Sequence, residues 1–135
     1  STSPRVALAA LARGDVDRAL ALDEHLAEAY ALRGQRSWDA GRRAESLADF
    51  TRAVELRPWD VRTVWGKSRA AEDLAGLSAA AERMPGEAEL WLDVATVAMK
   101  QGRWPRAGEA LERAMRYGRK AGALERLEQT PADVA

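Results

Sequence analysis

The sequence predicts an all-α fold built from helical hairpins, and three observations carry that reading. Alanine and leucine dominate while isoleucine is absent, a mix that favours helix over strand. Gly14, Gly41, Gly76 and Gly102 punctuate the chain, and Tyr30, Trp65 and Trp91 each stand eleven residues before one of the last three. Leu47, Phe50, Ala53 and Val54 follow the i, i+3, i+4, i+7 pattern of an amphipathic helix that Pro58 then ends. An aromatic near the start of a helix and a glycine releasing its end mark the first member of each helical pair.

Length and composition set the bounds. A chain of 135 residues predicts one domain, able to bury roughly two-thirds of its unfolded surface. A formal net charge of zero argues against a nucleic-acid or anionic-membrane footprint. Without cysteine there is no disulfide framework, thiolate metal site or thiol nucleophile. Without asparagine there is no N-glycosylation site. No apolar run reaches the roughly 18 residues of a membrane-spanning helix. The opening Ser-Thr-Ser-Pro-Arg lacks an initiator methionine and a signal layout, so it is read as a segment of a longer chain. Compartment stays open, with the cytoplasm slightly favoured over the periplasm or a fusion to a larger protein.

The elements follow in order. Pro4 to Arg13 reads as a first A helix, proline suiting its start, with Val6, Leu8 and Leu11 on its buried side. After Gly14-Asp15, Val16 to about Leu22 forms a two-turn B helix with Val16, Ala19 and Leu20 apolar. Asp23 is the expected N-cap of a second A helix from about Glu24 to Ala40, followed by a B helix from about Arg43 to Arg57. Asp60 is the expected cap of a third A helix running to Ala75, with a short B helix from Leu77 to Met84 stopped by Pro85-Gly86. The fourth pair is marked by Trp91, Val94, Ala95, Ala98, Gly102, Trp104, Ala107, Leu111 and Ala114. Pro105 sits in the first turn of its B helix, where a missing N–H costs little. A last helical stretch, Ala121 to Glu128, is expected to cap the array, leaving 130–135 frayed.

Between Ala27 and Asp60, the residues Tyr30, Gly34, Gly41, Ser46, Phe50, Ala53 and Pro58 fall at the spacing of a 34-residue helix–turn–helix unit. This stretch resembles the tetratricopeptide repeat family, and the resemblance extends over residues 4–118. The repeats are placed at about 4–26, 27–60, 61–87 and 88–118, within a single domain of residues 4–129. The second and fourth have near-standard length, whereas the first and third lack about seven residues of the B helix. Short and long units thus alternate. Arg33, Ser37, Ser68 and Glu72 depart from the family by placing polar groups where it keeps apolar ones. A shortened B helix opens space where these groups reach water or a salt bridge.

The resemblance implies a right-handed superhelical solenoid of about four hairpins, whose concave groove is lined by A helices and holds a peptide or helical segment. From the second unit the groove set is Glu28, Ala31, Gln35, Trp38 and Asp39. The third adds Thr63, Gly66, Lys67, Ala70 and Asp73. The fourth adds Glu89, Leu92, Asp93, Thr96, Met99 and Lys100. Many relatives clamp a C-terminal carboxylate with lysine and asparagine. Here asparagine is absent and Lys67 is the only cation at the clamp positions, so a peptide carrying apolar anchors and basic residues fits better. Trp38 is balanced between groove and core. Trp59 is read as a plug between units, and Tyr30, Trp65, Trp91 and Trp104 as core. Arg113, Arg116, Arg119 and Lys120 form a basic run placed near a helix C-terminus.

No chemistry is expected. His25 is the only histidine and lies at a turn. Gly66-Lys67-Ser68 imitates the end of a phosphate loop, but Val61 stands where the upstream glycine is required. No histidine or cysteine pair offers transition-metal ligands. The expectation is therefore a protein- or peptide-binding module without cofactor, metal, nucleic acid or membrane insertion. The alternative is a structural or self-assembly scaffold within a larger protein, acting through convex or terminal faces and compatible with a homo-oligomer.

Overall fold

The computed structural model describes the backbone of residues 4–129 and the side chains of residues 4–118. Among the described residues the fold is all-helical, with eight helices and no strand. They are α1 (Pro4–Ala12), α2 (Val16–Leu22), α3 (Ala27–Asp39), α4 (Arg43–Leu56), α5 (Val61–Ala70), α6 (Leu74–Arg83), α7 (Ala88–Lys100) and α8 (Trp104–Gln129). The chain divides between Asp73 and Leu74 into two compact units.

One turn recurs four times. A residue at positive φ follows α1, α3, α5 and α7: Gly14 (80°), Gly41 (78°), Glu72 (53°) and Gly102 (71°). In each turn the next residue's N–H reaches back to a carbonyl five residues earlier. These bonds are Asp15 to Ala10, Arg42 to Ser37, Asp73 to Ser68 and Arg103 to Ala98, at 2.8–3.0 Å. The left-handed residue itself donates to the carbonyl three back. This is the Schellman closure, which satisfies carbonyls that a helix end leaves open.

A second turn recurs three times, joining α2 to α3, α4 to α5 and α6 to α7. Asp23, Arg57 and Met84 each donate to a carbonyl of the preceding helix. Leu26, Asp60 and Glu87 then donate to the carbonyls of those three residues. Only Asp60 caps with its side chain, accepting from the N–H groups of Arg62 and Thr63. Asp23, expected to cap α3, instead ends α2, and its carboxylate accepts from the His25 N–H at 2.9 Å. The α3 helix starts four residues later, at Ala27.

The third pair departs furthest from expectation. Helix α5 ends at Ala70, not at Ala75, and Gly76 lies inside α6 rather than at a turn. The left-handed position falls on Glu72, a residue with a Cβ penalty there that glycine avoids. Its carboxylate accepts from Arg43 at 2.6 Å. The seven residues missing from this pair are shared between its helices. Helix α5 has 10 residues against 13 in α3 and α7, and α6 has 10 against 14 in α4.

In the first unit, α1 packs on α2, α2 on α3, α3 on α4, and α5 on both α3 and α4. The apolar side of α1 is Ala7 and Ala10, whereas the expected Val6 and Leu8 are exposed. These alanines join Val16, Ala19, Leu26 and Ala29 in one buried cluster. The other anchor is Phe50 of α4. Its ring fits between Gly34 of α3 and Gly66 of α5, one edge toward each. A Cβ on Gly34 would stand 2.9 Å from Phe50 Cδ2, and one on Gly66 would stand 2.6 Å from Cδ1. Both glycines are therefore requirements of packing, not of backbone angle.

In the second unit α7 packs on α6 and on α8. Leu77, Leu90, Trp91, Val94 and Ala98 are buried there, and Trp91 donates from Nε1 to the Pro85 carbonyl at 2.9 Å. Tyr30 does the same at the matching turn of the first unit, donating to the Glu24 carbonyl at 2.9 Å. Each aromatic stands four residues past the N-cap of its helix. In α5 that place belongs to Val64, so Trp65 is one position out of register and only half-buried. Trp104, expected in the core, is 65% exposed at the start of α8, and Trp59, expected as a plug, is 68% exposed. Trp104 is the first residue of α8, and Trp59 lies within the turn that joins α4 to α5. Helix α8 runs unbroken through the stretch expected as a separate capping helix. The basic run from Arg113 therefore lies well inside a helix, while the residues expected to fray, 130–135, are outside the described part.

Two stability predictions follow from this packing. Gly66→Ala should improve helix propensity yet destabilise the chain by about 1–2 kcal/mol in urea unfolding, because Phe50 has nowhere to retreat. Ser46 is fully buried with its hydroxyl unpartnered, at the register position that Ala19 and Ala107 fill in α2 and α8. Ser46→Ala should stabilise by about 1 kcal/mol in the same measurement.

Candidate binding face on α3 and α5

Counting from the N-cap gives α3 and α5 a common ruler. Ala31, Gln35 and Trp38 of α3 lie five, nine and twelve residues past Leu26, and Trp65 and Arg69 of α5 lie five and nine past Asp60. These spacings put them on one stripe of each helix. All five are half-buried, the state of side chains that rim a contact surface. Phe50 holds the two helices together beneath them.

The stripe is joined by specific contacts. The Arg69 guanidinium lies 4.3 Å from the Trp38 ring centroid, within the range of a cation–π stack. Arg69 Nη2 donates to Gln35 Oε1 at 3.1 Å, and Gln35 Nε2 donates to Asp39 Oδ1 at 2.9 Å. A tryptophan ring, a planar cation and an exposed carboxylate are thus fixed in sequence across two helices. Tryptophan and arginine dominate binding hot spots because both offer large flat surface with few rotamers to freeze.

The expected groove residues distribute unevenly. Glu28 is half-buried and turned to Arg57 at the end of α4. Thr63, Gly66 and Ala70 are buried, and so are not available on the face. Counting back from Gly76 displaces this helix by one residue and so passes over Trp65 and Arg69. Counting forward from the Asp60 cap is the signal that finds them. Lys67 is half-buried, and Asp73 sits past the end of α5 in its turn. On α7 the expected stripe is open: Glu89, Leu92, Thr96, Met99 and Lys100 are exposed and Asp93 is half-buried. Thr96 spends its hydroxyl on the Leu92 carbonyl at 2.9 Å, which leaves Leu92 and Met99 as the apolar contacts of that helix.

A separate cavity of about 600 Å³ opens in the first unit beside the seven-residue α2, lined by Gly14, Asp17, Arg33, Arg36, Ser37 and Asp49 among others. Its charges satisfy one another. Arg33 donates through Nε and Nη2 to the two carboxylate oxygens of Asp49, both at 2.9 Å, and through Nη1 to Asp17 at 3.2 Å. Arg36 donates to the Gly14 carbonyl at 3.1 Å. The Asp49 hydrogen bonds hold the Arg33 pKa above its ordinary value, against the opposing effect of partial burial. A raised value contributes stability that is present below the ordinary guanidinium range and lost only as pH climbs through the raised one. Near neutrality this arginine imposes no pH dependence. Ser37 and Ser68 are buried, while Arg33 and Glu72 form the salt bridges expected of the departing polar positions.

Among the described residues no group of three or more histidine, cysteine, aspartate or glutamate side chains could hold a metal ion. Nor is any helix among them long and apolar enough to cross a membrane. No protein-family model matches the chain, and no curated protein is significantly similar to it in sequence.

The Arg33–Asp49 pair carries a test of the cavity's role. Asp49 is nearly buried, so Arg33→Met should cost about 1–3 kcal/mol by stranding its carboxylate. The double variant Arg33→Met/Asp49→Leu should recover most of that loss in chemical unfolding.

Proposed function

We propose that this chain is a peptide-binding module of the tetratricopeptide repeat kind, without chemistry of its own, which holds a partner segment along the exposed stripe of its A helices. The spacing of Tyr30, Gly34, Gly41, Phe50 and Pro58 supports the family, and so do four identical turns ending α1, α3, α5 and α7. In that family such pairs stack into a right-handed superhelix whose concave side is lined by A helices.

The observation that carries the reading is the Trp38–Arg69 stack, held in place by Gln35 and anchored on two helices. A half-buried tryptophan ring beside a planar guanidinium offers a flat site for one apolar or aromatic anchor of the partner. Asp39, exposed at the end of the same polar chain, accepts a lysine or arginine from it. The partner is thus a peptide or helical segment with an apolar anchor next to a basic residue.

Panning a displayed random-peptide library on the full chain tests this. Enriched peptides should share that anchor-plus-base pattern, and their affinity should fall at least about tenfold with Trp38→Ala or Arg69→Ala. Trp59→Ala, more exposed but off the stripe, should leave affinity unchanged. Peptides that bind the Trp38→Ala protein as tightly as the parent would refute the proposed site.

A further inference from the structure

Helix α8 carries a second surface, independent of the α3–α5 face. Trp104 and Met115 are 65% and 56% exposed. Gly108 and Gly118 are exposed too, with open space where a Cβ would stand, and Leu111 is half-buried. The five positions 104, 108, 111, 115 and 118 are spaced by four, three, four and three residues, so they form one stripe of a continuous helix. It lies to one side of the Ala107, Ala110 and Ala114 row that α8 buries.

The first unit shows how the matching stripe is used. Phe50 stands nine residues after the left-handed Gly41, and Leu111 stands nine after the left-handed Gly102. On α4 the face centred on that position is closed by α5, which sets Gly66 against the Phe50 ring. The rule there is a large side chain facing a glycine across two helices. The α8 stripe contains both parts of that rule. Read forward it runs Trp, Gly, Leu, Met, Gly; read backward, Gly, Met, Leu, Gly, Trp. Set antiparallel against itself, every large residue except the central leucine meets a glycine.

We propose that α8 is a dimerisation helix, pairing antiparallel with α8 of a second copy about a twofold axis at Leu111. Trp104 then packs on Gly118 of the other copy, Met115 on its Gly108, and Leu111 on Leu111. The contact is isologous, so it closes at two chains and leaves no free stripe for a third. Its effect is to present two A-helix faces in one particle, which raises the avidity for a partner with two binding segments.

The full chain contains no cysteine, which allows a direct test. Sedimentation equilibrium of the parent chain should show the mass rising toward twice that of one chain with concentration. Met115→Arg and Gly108→Leu should each hold it at one chain mass with unchanged helical circular dichroism, while Trp59→Ser should still dimerise. Under mild oxidation Leu111→Cys should cross-link to itself. Trp104→Cys and Gly118→Cys should cross-link only when the two variants are mixed. A parent chain monomeric at every concentration would overturn the proposal. So would dimers that survive Met115→Arg, or a Trp104→Cys chain that cross-links to itself.

Discussion

The ring of Phe50 is the constraint on which the first unit depends. It is the chain's only phenylalanine, and it projects from α4 into a slot that exists only because Gly34 and Gly66 carry no side chain. Two helices are drawn to van der Waals distance of one ring, and α5 is thereby fixed against α3 as well as α4. That approach sets Arg69 over Trp38. The proposed binding face is thus a consequence of core packing. Its geometry is set by backbone-to-ring contact, which leaves little freedom to relax.

Around this anchor, the aromatic side chains that keep their register serve the fold. Tyr30 and Trp91 each hydrogen-bond to a turn carbonyl and each lie under arginines from the following helix, Arg52 for Tyr30 and Arg113 for Trp91. Arg113 is further tied to Glu82 at 2.7 Å, a hydrogen bond that raises its pKa and keeps the guanidinium over the ring. Trp38 and Trp65 are out of that register and remain half-exposed. A division between structural aromatics and surface aromatics follows from position along the helix, not from residue type.

The all-helical class and most helix limits were legible in the sequence, because proline, glycine and apolar spacing act locally. Gly14, Gly41 and Gly102 mark turns, and Asp60 caps as its chemistry requires. Gly76 misled because a glycine can also sit in a helix, at a modest cost, while Glu72 took the left-handed turn with help from Arg43. That single displacement shifts the α5 face by one residue, away from Trp65 and Arg69. The exposure of Trp59, Trp104, Val6 and Leu8 was illegible for another reason. Burial depends on what lies opposite a side chain, and periodicity describes only its own helix. In α1, Ala7 and Ala10 take the inner side, clustered with Val16 and Ala19 of α2, leaving the larger Val6 and Leu8 outside.

The most direct measurement of this account is a set of nuclear Overhauser effects from the ring protons of Phe50, unambiguous because the chain has no other phenylalanine. The account predicts strong cross-peaks to the α-protons of both Gly34 and Gly66. Cross-peaks to only one of these glycines, or to neither, would contradict it.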